Sequence, residues 1–170
     1  MKIFKKTIFI FSVFYVLHGI SFAETTEKTV IGPSGYPLPR FMSLSQDEAY
    51  LRTGPDFVYP IDWIYLKKGY PLKVIAEYGT WRKVVDIDQT TGWISRTLLS
   101  LNRSGMIING TQSLVQSPDR PDKITVIAEE NVIGTIVQCQ KTLCEMKVGG
   151  IEGWVSIKNI WGALQEETFD

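Results

Sequence analysis

The chain has 170 residues, with 18 basic and 18 acidic side chains, so it carries no basic excess with which to track a phosphate backbone, and nucleic acid is not an expected partner. It holds a single histidine, His18, and two cysteines, Cys139 and Cys144, which leaves little material for His-based catalysis or for a catalytic zinc site.

The chain begins MKIFKKTIFIFSVFYVLHGISFA. Lys2, Lys5 and Lys6 form a basic head, Thr7 to Ile20 is apolar, and Ser21-Phe22-Ala23 places small residues before a cut after Ala23. That order predicts a secretory signal peptide over 1–23. The alternative is an uncleaved anchor, but the apolar run falls short of the ~20 residues a spanning helix needs. No cysteine sits near the cut, so a lipid anchor is not expected. Cleavage removes three lysines and no acid, leaving 15 basic against 18 acidic side chains, and it removes His18 as well. The product is expected in the periplasm or outside the cell, with no stable membrane insertion. An even pair of cysteines in such an oxidising space reads as one disulfide, Cys139–Cys144, the alternative being two buried thiols.

The next segment, 24–41, contains GYPLPRF. Pro37 and Pro39 favour an extended left-handed conformation with Arg40 at its end. Packing of this leader on the chain's own domains is the favoured expectation, and occlusion of a binding groove is the sharper one.

From Ala49 onward the chain repeats itself. TGWIS (Thr91–Ser95) recurs as EGWVS (Glu152–Ser156), and the flanks follow. Leu51 falls on Leu114, Pro55 on Pro118, Ile61 on Ile124, Trp81 on Leu143 and Gly92-Trp93 on Gly153-Trp154, with two single-residue gaps. Within each copy, LKVIAEY and WRKVV, or TIVQC and CEMKV, alternate near period two around a short turn, which predicts β-hairpins. The cysteines then lie on facing strands beside a turn. Glycine and proline punctuate the remainder and no amphipathic helix is present, so each copy is expected to be a small, strongly bent barrel of short strands. The expected organisation is a first barrel over 42–101, a linker over 102–110, a second barrel over 111–163 and a tail over 164–170.

The first copy's LRTGP, LKKGYPLKVIAEYGTWRKV and TGWIS resemble the bacterial SH3-like domain family, and GYPLPRFMSL and YPIDWIYLKKGYPLKVI resemble a secreted, tandem branch of it from α-proteobacteria. The second copy is looser, with VQSPD in place of the Arg-x-Gly-Pro turn and Leu143 where a Trp is common. The resemblance implies an all-β, non-catalytic protein of two tandem SH3-like barrels that binds cell-wall peptidoglycan or its peptides. The alternative is an adaptor for an extended or Pro-rich segment of another envelope protein. No cofactor or metal is expected. Hydrolysis of wall material is disfavoured by the missing histidine.

TGPDFVYPIDWIY supplies the candidate groove. Phe57, Tyr59 and Trp63, with Trp81 and Trp93, would give apolar contact, and Asp56 and Asp62 would accept hydrogen bonds from a peptide ammonium or amide. The competing reading is that these rings fill the core and the acids face water. Asn102-Arg103-Ser104 and Asn109-Gly110-Thr111 are chance-level glycosylation triplets. Glu129-Glu130 and Asp86-x-Asp88 are carboxylate pairs expected to lie solvated at turns.

Overall fold

Alternating apolar residues close two barrels of the same topology in a computed structural model that describes residues 29–169. The signal-peptide reading and His18 lie outside the described residues. In chain order the strands are β1 (Val30–Ile31), β2 (Pro37–Leu38), β3 (Arg40–Leu44), β4 (Ala49–Arg52), β5 (Ile61–Tyr65), β6 (Pro71–Tyr78), β7 (Trp81–Val85), β8 (Thr91–Ser95) and β9 (Leu99–Ser100). The second copy follows with β10 (Ser104–Ile107), β11 (Gln112–Ser117), β12 (Arg120–Ala128), β13 (Ile133–Gln140), β14 (Leu143–Val148), β15 (Ile151–Ser156) and β16 (Ile160–Trp161). The hydrogen-bonded order β5-β4-β8-β7-β6-β3-β9 recurs as β12-β11-β15-β14-β13-β10-β16. A single 3₁₀ turn precedes the last strand of each barrel, Arg96–Leu98 and Ile157–Asn159.

Equivalent residues build the two cores. Leu44, Leu51, Leu72, Val74, Val84 and Ile94 are buried in the first, and Ile107, Leu114, Ile136, Met146, Val155 and Ile160 in the second. The repeated Gly-Trp step follows from the closure of each barrel. A Cβ on Gly92 would stand 2.5 Å from Leu51 Cγ and 2.9 Å from the Arg52 carbonyl oxygen, and one on Gly153 would stand 2.7 Å from Leu114 Cβ. Only glycine lets β8 and β15 come this close to β4 and β11.

Two boundaries differ from the sequence reading. The segment 102–110, expected as a linker, contains the buried strand β10, and the segment 24–41, expected as a leader, ends inside the buried strand β3. Both are first strands of their barrels, pairing with β6 and β9 or with β13 and β16. RFMSL and SGMI are short and lack β-alternation, because every residue in them is covered on both sides. The leader packs on its own barrel: β1 pairs with β2, and Arg40 and Ser34 bond Glu77 of β6.

The tail also docks. Arg103 holds Glu167 at 2.6 and 2.9 Å, its guanidinium lies 4.8 Å from the Phe169 ring centroid, and the Cys139 amide donates to the Phe169 carbonyl. Between the barrels, Trp161 Nε1 donates to the Pro71 carbonyl at 3.0 Å and its ring meets Phe41 edge-on at 5.0 Å. Ser104 Oγ donates to the Gly69 carbonyl at 2.5 Å.

Candidate functional site

The Arg-x-Gly-Pro turn opens the loop between β4 and β5, and its residues fold the loop onto itself. Thr53 N–H donates to the Pro60 carbonyl at 3.1 Å and closes the loop's neck. Gly54 leaves room for the Tyr59 ring, which would lie 2.5 Å from any Cβ there. Asp56 turns the tip by accepting from the Val58 amide at 3.0 Å, so its carboxylate serves the loop rather than standing ready for a ligand. Arg52 Nη1 donates to the carbonyls of Tyr59 (2.7 Å) and Phe57 (3.2 Å), and its guanidinium lies 5.6 Å from the Phe57 ring centroid.

Strand register decides which face the loop covers. Arg52 pairs with Trp93, Trp93 with Lys83, and Trp81 with Ser95. Directly paired residues share a face and neighbours along a strand alternate, so Arg52, Trp81, Lys83 and Trp93 all lie on the outer face, opposite the core residues Leu51, Val84 and Ile94. Phe57 folds over this face and meets Trp81 edge-on, with centroids 5.0 Å apart and an interplanar angle of 67°. Trp81 is thereby left 7% exposed while Phe57 itself is 72% exposed, and Trp93 is half-buried beside them. The result is a shallow aromatic platform with cationic groups at Arg52 and Lys83. It suits ring or amide stacking of an extended ligand.

The expected single groove divides in two. Trp63 pairs with Leu51, which puts it on the inward side of the β4–β5 ladder, away from Arg52 and the platform. It remains 56% exposed all the same. Asp62 sits at the bulge between the Leu51–Trp63 and Arg52–Ile61 pairs, exposed and without a bond to the platform. Strand β5 is an edge of its sheet, with Ile61, Trp63 and Ile64 exposed along it.

A bacterial SH3 domain model matches the chain twice, over residues 45–100 and 110–162. The chain belongs to the bacterial SH3 domain family. No curated protein matches it. Among solved structures it is similar to NlpC2 from Trichomonas vaginalis, at 13% identity and a TM-score of 0.34, over 75% of this chain and 49% of that one. It is also similar to NlpC1 from the same organism, at 11% identity and a TM-score of 0.35, over 83% and 48%. A third is an NlpC/P60 family protein from Bacillus cereus ATCC 10987, at 11% identity and a TM-score of 0.33, over 74% and 57%. The chain thus spans about half the length of these proteins, and likeness at this level carries no function across.

The two bacterial SH3 domains differ where the platform stands. In the second, β11 and β12 meet in a tight turn at Pro118-Asp119, with no aromatic loop, and Val115 rather than Arg52's counterpart cation pairs with Trp154. They differ again beneath the next hairpin. Glu77 pairs with Arg82 across β6 and β7, and the equivalent pair across β13 and β14 is Cys139 with Cys144, joined as a disulfide. An ion pair in one domain thus occupies the place of a covalent bond in the other.

Sequence reasoning missed that ion pair. Arg40 Nη2 lies 2.6 Å and Arg82 Nε 3.1 Å from Glu77 Oε1, while Ser34 donates its hydroxyl at 2.6 Å and its amide at 2.8 Å to the same carboxylate. The Glu77 side chain is 1% exposed. Burial pushes its carboxyl upward, but the hydrogen bonds from Ser34 and Arg40 and the Arg40 charge outweigh this and pull it down to about 2. The signal available was the repeat itself, which lays the Glu77–Arg82 pair over the two cysteines. Asp86 is also structural: it accepts from the buried Tyr65 hydroxyl at 2.9 Å and from the Thr90 amide at 2.8 Å, fastening the β7–β8 turn. Among the described residues no three His, Cys, Asp or Glu side chains are grouped to hold a metal ion.

Proposed function

We propose that this protein is a non-catalytic binding protein of the bacterial periplasm or exterior, which holds cell-wall peptide or glycan on the aromatic platform of its first SH3 domain. The observation that carries the reading is the Arg52–Phe57–Trp81 arrangement, in which a self-locked loop presents a largely exposed ring packed on a buried tryptophan, with the half-buried Trp93 beside them. A shallow apolar face with cationic neighbours fits an extended polymer better than a small molecule, and a folded loop presents it at low entropic cost. The Cys139–Cys144 disulfide suits an oxidising compartment, and no helix among the described residues is long and apolar enough to cross a membrane. The platform belongs to the first domain alone, so the second serves as its brace through Trp161 and Ser104.

Co-sedimentation with purified peptidoglycan tests this. Saturable pelleting is expected, with Phe57→Ala weakening it about threefold to tenfold, as loss of an aromatic contact implies. Protein that stays in the supernatant at all salt concentrations rejects wall binding. The exposed edge of β5 favours a second reading, in which an extended segment of another envelope protein adds as a strand there. Recovery of one partner protein without intact sacculi, lost on replacing Ile61 or Ile64 but not Phe57, would select it.

A further inference from the structure

A second site lies on the other side of β7. Because Trp81 and Arg82 point to opposite faces of that strand, the platform and the cavity beside Arg82 are separate. The cavity has a volume of about 670 Å³ and is bounded by the leader on one side and by the 3₁₀ turn at Arg96 on the other. Three guanidinium groups, those of Arg40, Arg82 and Arg96, line it, and no acidic side chain does. Glu77 sits behind the first two and neutralises one charge, so the cluster holds an excess of positive charge.

The donors are not used up. Arg82 Nη1 donates to the carbonyls of Gly79 and Trp81, and Arg40 donates to Glu77 and to the Pro37 carbonyl. The buried Nε of Arg40 has no hydrogen-bond acceptor, while that of Arg82 faces Glu77 as an ion pair at 3.1 Å. The Arg96 guanidinium has no partner among the described residues. Burial and then the like charges of Arg40 and Arg96 make the charged form of Arg82 harder to hold, against the help of Glu77. An anion in the cavity would relieve that strain on the cluster. Met42, Leu99 and Leu101 add an apolar wall to the lining.

We propose that this cavity binds the terminal carboxylate of a short peptide whose last residue has an apolar side chain. A planar guanidinium fork matches a carboxylate, and the apolar wall selects an organic anion over bare phosphate. The site is independent of the aromatic platform and stands whether or not the first domain holds wall polymer.

The test is an NMR titration of isotope-labelled protein purified after expression of the full chain. The probes are N-acetyl-alanyl-alanine as the free acid, the same dipeptide as its C-terminal amide, and inorganic phosphate. The free acid is expected to shift the amides of Thr80, Arg96 and Thr97 saturably, with the C-terminal amide and phosphate each at least tenfold weaker. Arg96→Gln, at an exposed position that leaves the core untouched, should weaken the free acid roughly tenfold, the value of a hydrogen bond to a charged group. An amide that binds as well as the acid, phosphate that binds as well as the dipeptide, or an Arg96→Gln variant with unchanged affinity would each overturn the assignment.

Discussion

Glu77→Gln keeps the side chain's shape and removes the charge that Arg40, Arg82 and Ser34 surround. The fall of this carboxyl from 4.5 to about 2 on folding corresponds to about 3 kcal/mol in favour of the folded, ionised form at neutral pH. Removing one member of a buried ion pair costs a similar amount, because Arg40 and Arg82 are left uncompensated. For a chain of this size that amounts to a melting temperature lowered by about 6–12 °C. The folded pKa lies below the unfolded one, so the contribution is complete above about pH 5 and is lost as pH falls towards 2. Thermal melts of wild type and variant, followed by near-ultraviolet circular dichroism at pH 7, 4 and 2.5, should show a gap that closes with acid. Other carboxylates titrate in both proteins and cancel in the difference. A gap that stays constant across this range, or one below about 2 °C at pH 7, would refute the reasoning.

Further expectations concern the loop, the Gly-Trp step and the disulfide. Arg52→Ala removes the bonds to the Phe57 and Tyr59 carbonyls, so the loop should lift from Trp81 and acrylamide should quench more of the tryptophan fluorescence, at a stability cost of about 1–3 kcal/mol. Gly92→Ala forces a methyl against Leu51 and the Arg52 carbonyl, and urea unfolding should show a loss of about 1–3 kcal/mol. Replacing Cys139 and Cys144 together by Ser should cost about 2 kcal/mol, with amide hydrogen exchange rising in β13 and β14 and unchanged in β6 and β7.

Much of the architecture is written in local chemistry. Gly92-Trp93 and Gly153-Trp154 mark the same barrel closure twice, because only glycine fits against Leu51 and Leu114, and that constraint leaves a visible repeat. The facing cysteines are legible for the same reason, since a hairpin's register follows from its turn. First strands β3 and β10 are not legible, as five and four residues buried on both sides carry no alternation. The site is half legible. Aromatic residues in the Thr53–Pro60 loop stand out by composition, but the face each one takes depends on register, and the bulge at Asp62 sends Trp63 to the side opposite Trp93. In the Ser34–Arg40–Glu77–Arg82 cluster, Ser34 and Arg40 reach Glu77 from 43 and 37 positions away, and only the folded chain brings them together.

The most direct test of the account is chemical-shift mapping of the protein with solubilised peptidoglycan fragments. Saturable shifts are expected at the Trp81 and Trp93 indoles and at the amides of Arg52 to Tyr59, with Trp154 and the β11–β12 turn unmoved. Shifts confined to the second domain, or none at saturating fragment, would contradict it.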